Sequence, residues 1–265
     1  MGWADIFRQM DERKYYGTKV PEITLAFWVA KILSTAMGEA TSDFLVFHIN
    51  PYAAVIAGGL GFLGALWLQF RTTRYRPVAY WVLIVMVSIF GTMVADVIHV
   101  VLGVPYIIST SLFAVSLVLI LLGWNASEKT LSIHSVATPR REMFYWATVI
   151  ATFALGTAVG DLTASTFGLG YLNSAILFSI LFILPGIAYF VFKLNEVPAF
   201  WIAYILTRPM GASFADWFDK PRQMSGLGFG TMPVAAILSV AVALAIGYIW
   251  FKFQRAPALA EVKDA

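Results

Sequence analysis

The stretch FWVAKILSTAMGEATSD at residues 27–43 decides the fold, because its skeleton returns three times at identical internal spacing. The other copies are YWVLIVMVSIFGTMVAD at 80–96, YWATVIATFALGTAVGD at 145–161 and FWIAYILTRPMGASFAD at 200–216. Each reads as an aromatic residue, a Trp, nine residues, a Gly, four residues and an Asp. The first and last copies also share Ala30 with Ala203, Ile32 with Ile205, Leu33 with Leu206 and Met37 with Met210. Self-similarity at a fixed spacing declares a repeat architecture before any local reading does.

Around these copies the composition sets the class. Sixty per cent of residues are hydrophobic and only 12% are charged, which describes a chain whose solvent is lipid. Cysteine is absent, so neither disulfides nor thiolate ligands contribute. There is no basic patch for nucleic acid. Eight apolar segments follow one another at roughly 22–46, 53–70, 78–102, 106–124, 143–166, 172–192, 197–218 and 230–251, each about as long as a membrane crossing requires. Backbone groups in hydrocarbon must be satisfied internally, and runs this long without alternation are helices.

The sequence thus predicts an all-α membrane protein of eight transmembrane helices, arranged as four two-helix repeats at about 22–72, 77–126, 142–193 and 197–253. An even number of helices per repeat makes the copies parallel, related about an axis along the membrane normal. A ring of four pairs or two halves of two pairs would satisfy this, and the long connection from Asn125 to Glu142 favours two halves. Residues 21–253 form one membrane domain, with a segment at 1–20 and a tail at 254–265. Trp3, Ile6, Phe7 and Met10 are spaced for a short helix lying on a membrane surface, and a partly ordered tail is the alternative. No signal peptide is expected ahead of the first apolar run. Fourteen lysines and arginines fall on one side of the spans, against Lys220 and Arg222 on the other, so both termini are expected to be cytoplasmic.

Ionisable residues inside the spans carry the functional expectation. Each Asp follows its Trp by 15 residues, roughly 22 Å along a helix. Asp43, Asp96, Asp161 and Asp216 should therefore share one depth in the outer half of the bilayer. Counting back by fours adds Glu39, Thr35 and Lys31 in the first copy, Thr92 and Ser88 in the second, Thr157 in the third, and Ala212 and Arg208 in the fourth. His99 lies three residues beyond Asp96 and joins the stripe. Five carboxylates face two cations there, and the surplus demands a bound cation, protons or water.

Simpler roles compete with these. Lys31 and Arg208 could form ion pairs that only fix helix register, and Gly38, Gly91, Gly156 and Gly211 read best as helix-packing positions. The repeated Trp is expected as an interfacial anchor, His48 and His134 as loop residues, and Asp219 as solvated or at the outer mouth.

The motif KILSTAMGEATSD at 31–43, with its counterparts YILTRPMGASFAD at 204–216 and GLGFG at 226–230, resembles a family of bacterial integral-membrane proteins defined by a repeat of unknown function present in four copies. The likeness spans residues 20–253 and implies a bacterial inner membrane and eight helices. It implies no activity. Glu39 occurs in one copy only, with Thr92, Thr157 and Ala212 in its place elsewhere, so a shared ring is one of aspartates.

The residues themselves point to a secondary transporter or exporter of a small cation, a divalent metal such as Mn above all, with protons as partner ion. Asp43, Asp96, Asp161, Asp216 and Glu39 are the expected metal ligands, since hard oxygen donors suit Mn or Mg. Lys31, Thr35, Thr92, His99, Thr157 and Arg208 form a secondary polar stripe. The alternative is a non-transporting sensor, regulator or assembly protein whose buried charges are structural. An enzyme is the weaker reading: the run Thr157-Ala158-Val159-Gly160-Asp161 lacks the first Gly of the Gly-x-Gly-Asp expected of an intramembrane aspartyl protease. An organic ligand inside the bundle stays open.

Overall fold

The computed structural model describes residues 18–255. The expected surface helix around Trp3 to Met10 and most of the C-terminal tail lie outside them. Eight long helices follow in order: α1 (Leu25–His48), α2 (Pro51–Arg71), α3 (Pro77–Asp96), α4 (Tyr106–Glu128), α5 (Pro139–Asp161), α6 (Gly170–Phe192), α7 (Glu196–Asp219) and α8 (Thr231–Arg255). No strand occurs among the described residues. Local chemistry sets the helix starts. Thr24, Asn50, Thr138 and Asn195 accept hydrogen bonds from backbone N–H groups of the first turns of α1, α2, α5 and α7. Pro51, Pro77 and Pro139 open α2, α3 and α5, where a missing N–H costs nothing.

Six of the eight helices are long and apolar enough to cross a membrane. The other two, α1 and α7, are equally long but carry Lys31, Glu39 and Asp43, and Arg208 and Asp216. They sit at the centre of the bundle with α3 and α5. The apolar stretches of α3 and α5 are 50% and 56% buried, against 22% for α2 and 17% each for α4, α6 and α8. Four inner helices are therefore wrapped by four outer ones, whose exposed faces are lined by Leu60, Leu63, Leu112, Leu119, Ile180, Ile183, Ile237 and Leu244. The molecule is a multi-pass membrane protein by this pattern.

The inner helices make a closed ring in the order α1, α3, α5, α7 and back to α1. Each outer helix packs chiefly on the inner helix of the following copy: α2 on α3, α4 on α5, α6 on α7, and α8 on α1. Side chains repeat the same cycle. The aromatic residue that opens each copy meets the Trp of the next, Phe27 with Trp81 at 5.8 Å, Tyr80 with Trp146 at 5.4 Å, Tyr145 with Trp201 at 6.1 Å and Phe200 with Trp28 at 5.8 Å. Like ends meet like ends, so the inner helices run parallel. The two-half arrangement favoured by the long connection gives way to this ring.

The glycines repeat the cycle too. A β-carbon on each would meet the residue three positions before the next copy's glycine: Gly38 meets Ser88, Gly91 meets Phe153, Gly156 meets Arg208 and Gly211 meets Thr35. Small residues let backbones approach this closely, as expected of packing positions.

The aromatic end corrects one expectation. Trp81, Trp146 and Trp201 are buried together with Phe27, Tyr80, Tyr145, Phe200 and Tyr204, and only Trp28 is half-buried. They form a floor across the ring and not an interfacial belt. The Tyr80 and Tyr145 hydroxyls are 2.6 Å apart within it. The connection after α4 caps this floor with buried Ile133 and Val136, and Trp201 Nε1 donates to the Leu131 carbonyl at 3.0 Å. Beside it, Lys19 Nζ meets Glu142 Oε2 at 2.6 Å and Gln69 Nε2 donates to Glu142 Oε1 at 2.9 Å.

The glycine contacts differ in slack. At position 156 a β-carbon would stand 2.6 Å from both Cβ and Cγ of Arg208, whereas at position 91 the nearest atom, Phe153 Cβ, is 3.6 Å away. Gly156→Ala should therefore destabilise the protein by about 1–3 kcal/mol through overpacking, while Gly91→Ala should leave it unchanged or firmer. Thermal unfolding of the two variants in detergent checks the contrast.

Candidate functional site

The inner faces of α1, α3, α5 and α7 stack three levels of chemistry between the aromatic floor and the opposite end. Lys31 comes first above the floor. It is fully buried, and its ammonium lies 4.1 Å from the Phe153 ring centroid and 4.3 Å from that of Tyr204, while donating to Thr207 Oγ1 at 3.2 Å. Its partners are π faces and a hydroxyl. Thr35 ties α1 to α7 by donating to the Thr207 carbonyl at 3.0 Å.

The next level is a buried ion pair. Arg208 Nη2 donates to Glu39 Oε2 at 2.5 Å and also to Thr92 Oγ1, and Nη1 donates to the Thr35 carbonyl at 3.2 Å. Thr92 itself donates to the Ser88 carbonyl at 2.9 Å. Three helices, α1, α3 and α7, are stapled by one guanidinium, whose planar fork suits several acceptors at once. Glu39, expected among the cation ligands, has its Oε2 atom held by the Arg208 guanidinium.

One turn beyond lie the aspartates. Asp43 and Asp216 converge on Lys220, the residue that follows α7: its ammonium pairs with Asp43 Oδ2 and stands 3.5 Å from Asp216 Oδ1. Asp219, expected either in solvent or at the outer mouth, is buried beside them. Carboxylate oxygens of Asp43, Asp216 and Asp219 all lie within 4.8 Å of one another. Both Asp219 oxygens are buried without a hydrogen-bond partner among the described residues. Burial opposes the charge of Lys220, yet Asp216, Asp43 and Asp219 outweigh it and raise the lysine's pKa.

Asp96 and Asp161 close the ring on its other side, half-buried, each feeling the charges of Glu39 and Asp43. Each is followed by a π-helical turn, Val97–Val101 and Leu162–Thr166, a feature that Asp43 and Asp216 lack. The phenols of Tyr106 and Tyr171, which open α4 and α6, lie within the field of Asp161 and Asp216 respectively. Beyond Asp219 a depression of about 500 Å³, lined also by Pro221, Arg222, Gln223 and Gly228, opens at the molecular surface.

Two expected members of the stripe are occupied elsewhere. His99 turns to the α3–α4 corner: its Nδ1 is 3.0 Å from the Val104 carbonyl, its Nε2 is 3.3 Å from Ser109 Oγ, and the ring lies 3.9 Å from that of Tyr106. Thr157 donates to its own helix at the Phe153 carbonyl. His48 is the last residue of α1, stacked on Phe44, and His134 meets Glu196 at 2.7 Å in a short turn. Asp219 and Lys220 lie past the repeated Trp–Gly–Asp skeleton, so its spacing does not mark them as site residues. The signal that could have found them is the fourfold count itself, which puts Asp219 on the helical face where the second copy has His99.

The ring of pairs is also a ring of family units. Residues 26–75, 79–130, 144–195 and 199–255 match the family described as Repeat of Unknown Function (DUF347). The chain belongs to the DUF347 family. Each DUF347 unit contains one inner helix and the outer helix that follows it. No curated protein and no solved structure gives a significant match.

The Arg208–Glu39 pair yields a stability test. Arg208→Met leaves the Glu39 carboxylate buried without its base, which should cost about 3 kcal/mol or more, whereas pairing it with Glu39→Gln should recover most of that loss. Denaturant unfolding of the single and double variants measures the difference.

Proposed function

We propose that this DUF347 protein is a secondary transporter or exporter of a small cation, a divalent metal such as Mn before others, in a bacterial inner membrane. All eight helices cross the bilayer in this reading, with both termini cytoplasmic. The charged α1 and α7 cross because their polar groups face protein and not lipid. The aromatic floor then closes the cytoplasmic end, and the aspartates lie toward the outside.

The observation that carries the reading is the set Asp43, Asp216 and Asp219, with oxygens close enough to share one ion and Asp219 unpartnered in a buried position. A buried carboxylate without a partner is costly. A hard cation, with oxygen ligands at about 2.0–2.6 Å, would satisfy it after small side-chain rotations. Six carboxylates on the axis face Lys31, Arg208 and Lys220, so an empty site must hold protons or other cations, which supports proton coupling. Asp96 and Asp161, half-buried, would serve as an entry or exit step. Passage to the other side requires the floor to open.

The second reading, a sensor, regulator or assembly protein with structural charges, is favoured by one observation: Glu39, Asp43 and Glu142 each already hold a basic partner. Binding separates the two. Asp43→Asn, Asp216→Asn and Asp219→Asn should each weaken Mn²⁺ binding by roughly tenfold or more, because affinity for hard cations follows the ligand charge count. Calorimetry on the purified protein and Mn²⁺ flux in proteoliposomes check this. Binding unchanged in all three variants would leave the structural account standing.

A further inference from the structure

We propose that Lys220 is a tethered competitor for the transported cation: its ammonium holds the seat between Asp43 and Asp216, and the incoming ion enters by displacing it. This rests on the carboxylate cluster being a cation site, as proposed above.

The occupant fits the seat poorly in one respect. A lysine ammonium is a compact point charge on a flexible stem. Bonded to Asp43 and 3.5 Å from Asp216, it leaves both oxygens of Asp219 without a hydrogen bond among the described residues. A dication with several oxygen ligands would engage all three carboxylates. The lysine therefore keeps the empty site from being a bare cluster of acids, yet leaves a ligand unused for the ion that replaces it.

The way out is a side-chain movement. The backbone around Lys220 is fixed, because the strand of chain after Pro221 folds back on α7 and satisfies its final carbonyls. Leu227 N–H donates to Trp217 at 2.7 Å, Gly228 to Lys220 at 2.9 Å, Phe229 to Phe218 at 3.0 Å and Gly230 to Asp219 at 3.1 Å. Gly226 lies against the Lys220 carbonyl so closely that no β-carbon would fit. What remains free is the four-carbon arm. The Phe47 ring, exposed and 5.8 Å from the ammonium, offers it the next seat through its π face. The device belongs to the fourth copy alone: the corresponding residues elsewhere are Phe47, Val100 and Ser165.

The test uses the purified full-length protein with Mn²⁺ as probe. Lys220→Met should bind Mn²⁺ roughly tenfold more tightly than wild type, as expected when a site open a tenth of the time becomes permanently open. In the wild type, Mn²⁺ should also raise acylation of Lys220 by an amine-reactive reagent, read by peptide mass spectrometry, and Asp43→Asn plus Asp216→Asn should remove that Mn²⁺ dependence. Equal or weaker binding by Lys220→Met, or acylation that Mn²⁺ leaves unchanged or lowers, overturns the competitor while wild-type binding keeps the site reading intact. Absence of Mn²⁺ binding in both wild type and Lys220→Met overturns the two together.

Discussion

Close approach of four parallel helices at Gly38, Gly91, Gly156 and Gly211 is the constraint on which the rest of the structure depends. At Gly38, Gly156 and Gly211 side chains of the next helix take the place a β-carbon would fill, and at Gly91 Phe153 stands in ordinary contact. Polar groups on the inner faces must then be satisfied by neighbouring helices. Thr35 reaches the Thr207 carbonyl, Arg208 reaches the Thr35 carbonyl, and Glu39 is met from both α3 and α7. Beyond the glycines the same inner faces carry the aspartates.

The ring is fourfold in its backbone but not in its charges. Lys31 and Glu39 come from the first copy, Arg208 and Lys220 from the fourth. At the positions of Lys31 and Glu39 the middle copies present Ile84, Val149, Thr92 and Thr157, and they alone carry the π-helical turns after their Asp. Copies one and four, neighbours across the closure of the ring, thus form the paired and buried side of the axis. Copies two and three hold the half-buried Asp96 and Asp161. The extra identities between the first and last copies, from Ala30 with Ala203 to Met37 with Met210, follow this division.

Much of this was legible in the sequence. Invariant spacing of Trp, Gly and Asp predicts parallel inner helices with their acids at one depth, and the convergence of Asp43 with Asp216 follows from it. The burial of the Trp residues was not legible, because Trp at the end of an apolar run has the same signature whether it meets lipid headgroups or a neighbouring copy. Only the lateral contact of Phe27 with Trp81, and its three equivalents, distinguishes them. The pairing of Glu39 with Arg208 spans the chain from first copy to last, so no local period reports it. Lys220 and Asp219 lie past the repeated skeleton, on a turn whose return along α7 depends on backbone hydrogen bonds from Leu227 to Gly230. His99 has helical spacing from Asp96, but the π-helical turn it belongs to changes the angle per residue and carries its ring toward Ser109.

The offset packing, in which every outer helix rests on the following copy, says something about how such a molecule could have arisen. A single two-helix unit has no partner of its own to cover its inner helix and offers a spare outer helix to another. Identical units would hand that helix around until the circle met itself, at four members. The chain is built like a tetramer of hairpins joined end to end, and the joining lets one member carry a lysine and another a glutamate without the rest having to follow.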